Sequence, residues 1–172
     1  MSWRRRFAIE PLSKHHDRAG FRCGTTALDD YIAKQASQDV RRHISQVFVA
    51  IESGREEIFG YYTLCAGSVD QMALPQEIAR RLPRYPVPVA MLGRLAVATA
   101  HQGSGLGKVL VADACKRVLQ ASGDVAMMAV VGDAKDAAAR RFYERFGFTL
   151  LPDSNRRMFL PMASLRAIVD GD

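Results

Sequence analysis

The stretch Leu95-Ala96-Val97-Ala98-Thr99-Ala100-His101-Gln102-Gly103-Ser104-Gly105-Leu106-Gly107-Lys108 decides how this chain folds. Upstream of it, Val89, Met91, Leu92, Leu95 and Val97 make residues 89–98 the most apolar strand of the sequence, with Arg94 its only charge. Downstream, Leu106, Leu110, Val111, Ala114, Val118 and Leu119 recur at helical spacing. Between strand and helix stand three glycines in alternation. Such a loop lets main chain approach a ligand closely, and the first N–H groups of the helix have no acceptor inside it. An anion is the expected occupant. Two familiar phosphate loops fail on spacing. The dinucleotide pattern G-x-G-x-x-G lands on Lys108 when counted from Gly103 and on Leu110 when counted from Gly105. A Walker A loop needs glycine where Gln102 stands and a hydroxyl residue where Val109 stands.

Working outward, residues 3–9 read as an edge strand burdened by Arg4, Arg5 and Arg6. A turn at 21–24 leads into a helix running to about Gln38, with Thr26 and Asp29 spaced as a capping box. Residues 45–51 and 58–66 read as a hairpin around Glu52-Ser53-Gly54-Arg55. Pro75 opens a short helix through Leu82, and the prolines at 83, 86 and 88 stiffen the connection to the central strand. Residues 124–131 read as a buried strand. Asp133 and Asp136 mark the next helix start, and Gly147 stops that helix. Residues 148–151 and 158–162 are short closing strands. No repeat or flexible linker breaks the pattern, so residues 1–172 are read as one domain.

Gln102, Gly105 and Gly107 match the pattern Gln-x-x-Gly-x-Gly, and with the strand before it this stretch resembles the acyl-CoA pyrophosphate loop of the GNAT N-acetyltransferases. Ala139, Phe142, Tyr143, Gly147 and Phe148 match the family's second motif, A-x-x-(apolar)-Y-x-x-x-G-F, in the right order. One residue departs. Asp136 stands where many relatives carry Asn; a carboxylate does not favour phosphates, so Asp136 is read as a helix cap.

The resemblance implies an α/β (α+β) GNAT fold with a mixed central sheet flanked by helices, and acetyl-CoA as co-substrate with no metal. Main-chain amides from Gln102, Gly103, Ser104, Gly105, Leu106, Gly107 and Lys108 would hold the pyrophosphate. Leu95, Ala96 and Val97 would pair with the pantetheine arm, one of their N–H groups polarising the acetyl carbonyl. Ala139 and Phe142 fall on the coenzyme side. A neutral amine attacks the thioester directly, and Tyr143 would protonate the departing thiolate. The plainer reading of Tyr143 is aromatic packing at a helix end.

Further likeness lies outside these motifs. The run Phe21-Arg22-Cys23-Gly24-Thr25-Thr26-Ala27-Leu28-Asp29-Asp30-Tyr31-Ile32 is similar to the N-terminal segment of GNAT-type toxins of bacterial toxin–antitoxin pairs, as are Gly60-Tyr61-Tyr62-Thr63-Leu64, residues 82–89 and residues 92–97. That likeness implies acetylation of the α-amino group of aminoacyl-tRNA, arrest of translation, a ribbon-helix-helix antitoxin as partner, and a homodimer. An α-amine beside an ester is less basic than a lysine amine, so no strong general base is required. A polyanionic substrate rewards basic clusters. Arg94, Arg84, Arg80 and Arg81 are the candidate RNA contacts, with Arg4, Arg5, Arg6, Arg41 and Arg42 more remote; each is equally readable as a solvated charge.

The composition agrees with this. The 172 residues are 48% hydrophobic and 24% charged, which excludes a disordered or low-complexity chain. The net charge of +6 favours an anionic partner. No apolar stretch is long enough to span a membrane, and no targeting segment is legible, so a cytoplasmic protein is expected. Cys23, Cys65 and Cys115 lack metal-ligand spacing and are read as reduced thiols, and His15, His16, His43 and His101 lack it too. Two other readings remain open: an acetyltransferase of a small amine or a protein N-terminus, and a non-catalytic binding partner that keeps the GNAT fold.

Overall fold

Val47, Val49 and Ile51 share one face of an extended segment and all three are buried, so this segment lays that face on a core. It does so in a computed structural model that describes residues 7–170. Strand β2 (Gln46–Glu52) pairs antiparallel with β1 (Phe7–Pro11) on one side and with β3 (Ile58–Val69) on the other. Further strands are β4 (Val87–Val97), β5 (Ala129–Asp133), β6 (Thr149–Leu150) and β7 (Arg157–Pro161). They form a seven-stranded mixed sheet in the order β1-β2-β3-β4-β5-β7-β6. The pair β4 and β5 is parallel, in register from Val89↔Ala129 to Leu92↔Gly132, and helix α4 (Leu106–Ala121) lies between them in sequence. The expected mixed sheet with flanking helices is therefore present.

The chain divides into two compact units, one holding Met1–Cys65 and Gly93–Ala114, the other Ala66–Leu92 and Cys115–Asp172. The core of the first gathers Phe21, Ile32, Val47, Val49, Tyr61 and Ala96. The core of the second gathers Val69, Val87, Val89, Val131 and Phe159.

Several sequence expectations need correction. The edge strand begins, within the described residues, at Phe7; Arg4, Arg5 and Arg6 lie outside them. The expected helix to Gln38 is interrupted: α1 (Thr26–Asp30) passes into a π-helical segment (Tyr31–Gln35) and then α2 (Ala36–Arg41). No capping box forms at Thr26. Thr25 is the cap residue, and Asp29 instead accepts from the Cys23 N–H at 2.9 Å. The strand expected at 124–131 starts only at Ala129, because α4 closes through bonds from Gly123 and Val125 back to Gln120 and Ala121, leaving Val125 64% exposed. Pro75 caps α3 (Gln76–Ala79) from outside rather than opening it. The last strand ends at Pro161, and helix α6 (Met162–Asp170) follows, its Leu165 fully buried. Met162, Leu165, Ile168 and Val169 carried that helical period in the sequence.

Other expectations hold. Helix α5 (Ala137–Arg145) is capped by Asp136, whose carboxylate accepts from the Ala139 N–H at 2.8 Å. Gly147 follows its end at φ +101°. Cys23, Cys65 and Cys115 are free thiols, and burial pushes the Cys115 thiol up to about 12. Among the described residues no helix is long and apolar enough to cross a membrane.

Candidate active site

The glycine turn belongs to the first unit. Strand β4 ends at Val97, a single 3-10 turn (Thr99–His101) follows, and α4 begins at Leu106. Gly103 and Gly105 take φ values of +81° and +89°, a region that L side chains avoid. Gln102, Gly103, Ser104, Gly105 and Lys108 are exposed and Gly107 is half-buried, so the turn and the α4 amides reach solvent. Leu106 is buried and anchors the first turn of α4. Gly60 on β3 sets how closely that helix lies: a Cβ there would stand 2.9 Å from the Ala96 carbonyl and 3.0 Å from Leu110.

Side chains hold the turn from behind. Gln102 donates to the Cys23 carbonyl at 2.8 Å and to the Val97 carbonyl at 3.0 Å. Its side-chain amide is thereby committed inside the protein, and so are two main-chain donors expected to face the anion: the Gln102 N–H donates to the Thr99 carbonyl and the Ser104 N–H to the His101 carbonyl, both at 3.4 Å. Ser104 donates to the His101 carbonyl. His101 stacks on Phe59 with ring centroids 3.9 Å apart, which makes it a wall of the turn.

Arg94 is also in the first unit, half-buried on β4. Its guanidinium lies over the Tyr31 ring, 3.6 Å from the centroid. Tyr31 donates its hydroxyl hydrogen to Asp39 at 2.8 Å, and Gln35 donates to the same carboxylate at 2.9 Å. These two bonds hold the Asp39 carboxyl below its ordinary range, while burial and the Asp39 bond push the Tyr31 phenol up to about 12. Sequence reasoning missed Tyr31, Gln35 and Asp39 as a group. Their four-residue spacing was the available signal.

The second unit carries Tyr143. It is 5% exposed, and a Cβ on Gly132 would lie 3.8 Å from its hydroxyl. Phe142 and Phe148 pack around its ring at 5.6 and 5.1 Å between centroids. Burial, and then the negative Asp133, push the phenol up to about 12, so it stays protonated at neutral pH. Among the described residues the hydroxyl has no hydrogen-bond partner. Ala139 spends its N–H on the Asp136 cap. Arg80, Arg81 and Arg84 are exposed; Arg84 edges a groove of about 300 Å³ with Ser68, Asp70, Gln71, Met72, Tyr85 and Pro86. Arg41 and Arg42 are both exposed on the first unit.

One further cluster has metal-ligand chemistry: Glu10, His15 and His16. Its geometry favours another account. His16 Nδ1 accepts from the Ser13 N–H at 3.0 Å, which leaves the ring proton on Nε2, 2.7 Å from Glu10. A metal at Nε2 would require a proton on the nitrogen that already accepts one.

The chain belongs to the acetyltransferase (GNAT) family, whose model matches residues 9–148. It is 36% identical over 158 residues to the tRNA-acetylating toxin of Mycobacterium tuberculosis, covering 92% of this chain and 93% of that protein. Among solved structures it is similar to AtaT complexed with acetyl-methionyl-tRNAfMet, at TM-score 0.88 and 29% identity, covering 94% of this chain and 98% of that one. It is also similar to a tyrosine-to-phenylalanine mutant of AtaT bound to the C-terminus of the antitoxin AtaR and acetyl-CoA, at TM-score 0.80 and 27% identity, covering 94% and 97%.

Proposed function

We propose that this protein is an acetyl-CoA-dependent toxin that acetylates the α-amino group of an aminoacyl-tRNA and so halts translation. The observation that carries the reading is the exposed turn at 103–105, whose two left-handed glycines lead into a sixteen-residue helix, in a chain alike to tRNA-acetylating toxins over nine-tenths of its length. Main-chain N–H groups of Gly103, Gly105, Leu106, Gly107 and Lys108 hold the coenzyme diphosphate, reinforced by the helix dipole, while Gln102 and Ser104 shape the turn. The backbone of Leu95, Ala96 and Val97 aligns the acyl arm, and one of its amides takes up the charge that develops on the acetyl oxygen. Ala139 and Phe142, on α5, line the coenzyme side through their surfaces.

The neutral amine of the acceptor attacks the thioester carbon, a C–N bond forms, and the C–S bond breaks. Tyr143 gives its proton to the thiolate, and the proton lost by the acceptor nitrogen passes to water. A phenol near 12 is a weaker acid than an ordinary thiol near about 8.5. Burial raises the thiol as well, which narrows the gap inside a dry site. The free hydroxyl of Tyr143 supports this role, since among the described residues no acceptor competes for its hydrogen.

Arg94, Arg84, Arg80 and Arg81 serve the RNA. The partner is a ribbon-helix-helix antitoxin and the chain works as a homodimer, two statements that rest on the family likeness; that it works in the cytoplasm and that residues 1–172 act as one GNAT domain rest on the sequence, which shows no targeting segment, repeat or flexible linker. The test is incubation of labelled acetyl-CoA with a panel of charged tRNAs. Label on the aminoacyl group is expected. Label found only on polyamines or on protein N-termini would move the activity to the second acceptor class, and no label on any acceptor would leave a binding module.

A further inference from the structure

A cleft of about 530 Å³ opens in the second unit. Asp133 lines it at the end of β5. The residue before it, Gly132, packs against Tyr143, where a Cβ would stand 3.8 Å from the hydroxyl. Successive residues of a strand point to opposite faces. Tyr143 therefore sits on one face of the β5 end, and Asp133 turns to the other, where the cleft begins. After burial, the Asp133 charge is what raises the Tyr143 phenol, so the two lie near each other.

The proposed reaction joins these places. Tyr143 serves the sulfur, and the attacking nitrogen meets the carbon bonded to that sulfur. Reacting atoms approach to about 3–3.5 Å and a proton donor to about 3 Å, which puts the nitrogen within roughly 6 Å of the hydroxyl. In an aminoacyl group the side chain branches from the carbon that carries this nitrogen. The cleft that Asp133 borders is within reach of that branch.

Its lining has a definite chemistry. Leu151 and Pro152 offer apolar surface, and Met72 stands 77% exposed on the wall, a flexible side chain able to follow the shape of an apolar ligand. Arg156 and Arg157 both spend their charge on Asp133, at 3.4 and 2.9 Å. Asp70 and Asp153 also line the cleft, and among the described residues neither has an ion pair. Three carboxylates thus face two guanidiniums, and the uncompensated charge is negative. A second cleft, of about 300 Å³, shares Asp70 and Met72 with the first. Gln71, between them in sequence, lines the smaller one and is 8% exposed. Its Nε2 donates to the Ala79 carbonyl at 2.5 Å, and among the described residues its Oε1 has no donor. Buried acceptors are nearly always paired. The wall between the clefts is short of one bond, of the kind that a bound molecule or water completes.

We propose that the larger cleft receives the amino acid of the acceptor and selects it by charge: neutral and cationic side chains enter, with Met72 as their apolar contact, and acidic ones are turned away by Asp70 and Asp153. This rests on the aminoacyl-tRNA reading above.

The tRNA that the panel labels most strongly is charged in turn with glycine, methionine, lysine, glutamine and glutamate, so that the RNA stays constant. Acetylation kcat/KM is measured for the full chain, for Met72→Ala and for the double variant Asp70→Asn, Asp153→Asn. Asparagine keeps an oxygen for the Met72 N–H, and it tolerates the left-handed backbone of Asp153 at φ +62°, so the double variant is built to fold. The wild type should favour glutamine over glutamate, its near-isostere, by about tenfold or more. That ratio should shrink at high salt, because both carboxylates are exposed. In the double variant it should fall towards unity. Met72→Ala should lower the methionine-to-glycine ratio by about tenfold. Equal rates for glutamine and glutamate in the wild type, a measurement that needs no variant, overturn the proposal. A glutamine preference that survives in the double variant overturns it as well, as does rejection of lysine alongside glutamate or acceptance of glycine alone. Each of these leaves acetylation of charged tRNA standing. A panel that labels no tRNA overturns the aminoacyl-tRNA reading first, and the role of the cleft with it.

Discussion

The Gln102 side chain donates to the carbonyl of Cys23, 2.8 Å away and 79 positions distant in sequence. With its second bond, to Val97 at 3.0 Å, it ties the glycine turn both to the end of β4 and to the segment before α1. The position that marks the family loop in the sequence is thus a brace for the turn. Gln102→Ala leaves two carbonyls without this donor. A stability loss of about 1–2 kcal/mol is expected, measured by urea unfolding, together with weaker acetyl-CoA binding because the turn is no longer fixed. Gln102→Glu should be worse, since a carboxylate would face two carbonyl oxygens. Coenzyme affinity unaltered in both variants would separate the brace from the binding turn.

Tyr143 has a buried ring and a free, protonated hydroxyl. Tyr143→Phe keeps the packing with Phe142 and Phe148 and removes only the proton donor. We expect kcat to fall by about 10²–10⁴, the usual range for general acid catalysis, with acetyl-CoA affinity nearly unchanged and growth inhibition abolished. Undiminished toxicity would take Tyr143 out of the mechanism.

Two glycines should respond differently to alanine. Gly103 has φ +81° and open space where a Cβ would go, so Gly103→Ala carries only the backbone cost of about 1–2 kcal/mol. That cost falls on the anion-holding conformation, and acetyl-CoA binding should weaken about tenfold. At Gly60 a Cβ would meet the Ala96 carbonyl at 2.9 Å, and a main-chain atom cannot rotate away. Gly60→Ala should destabilise the fold by about 1–3 kcal/mol through overpacking. Thermal melts of the two variants, beside calorimetry with acetyl-CoA, distinguish a local from a global effect.

Asp133 supplies a pH test. The Arg157 hydrogen bonds hold its carboxyl below the ordinary range, so its folded pKa is lower than its unfolded one, about 3.9. Its contribution to stability is complete above the unfolded value and disappears as pH falls through the folded one. Arg157 is 40% exposed, so the pair should be worth no more than about 1 kcal/mol. Asp133→Asn should therefore lower stability slightly at pH 7 and leave it the same as wild type at the acid end of the titration. The same variant removes a negative neighbour of Tyr143, and ultraviolet titration should show that phenol ionising at lower pH. A Tyr143 titration that does not shift would show that burial alone raises it.

The local half of this structure was legible in the chain. Left-handed glycines, the Asp136 cap, the stop at Gly147 and the apolar stripe of α4 each depend on a residue and its near neighbours, so spacing is enough to find them. The α6 helix carries an equally legible period in Met162, Leu165, Ile168 and Val169, directly after the residues that read as the final strand. The false capping box shows where local rules stop: Asp29 had a partner at Cys23, and a side chain with two partners of similar merit is decided by whichever the surrounding fold supplies.

The order of the elements, the glycine turn, the basic excess and the tyrosine at the end of α5 are properties of the amino-acid sequence alone, since period, turn chemistry and charge act over a few residues. The bond from Gln102 to Cys23, the seat of Arg94 over Tyr31 and the close approach at Gly60 were settled only when distant segments packed. A cation can stack on any of several aromatic rings at similar cost. Which ring it meets is fixed by how the sheet and helices pack, where a shift of one residue in register sends a side chain to the opposite face.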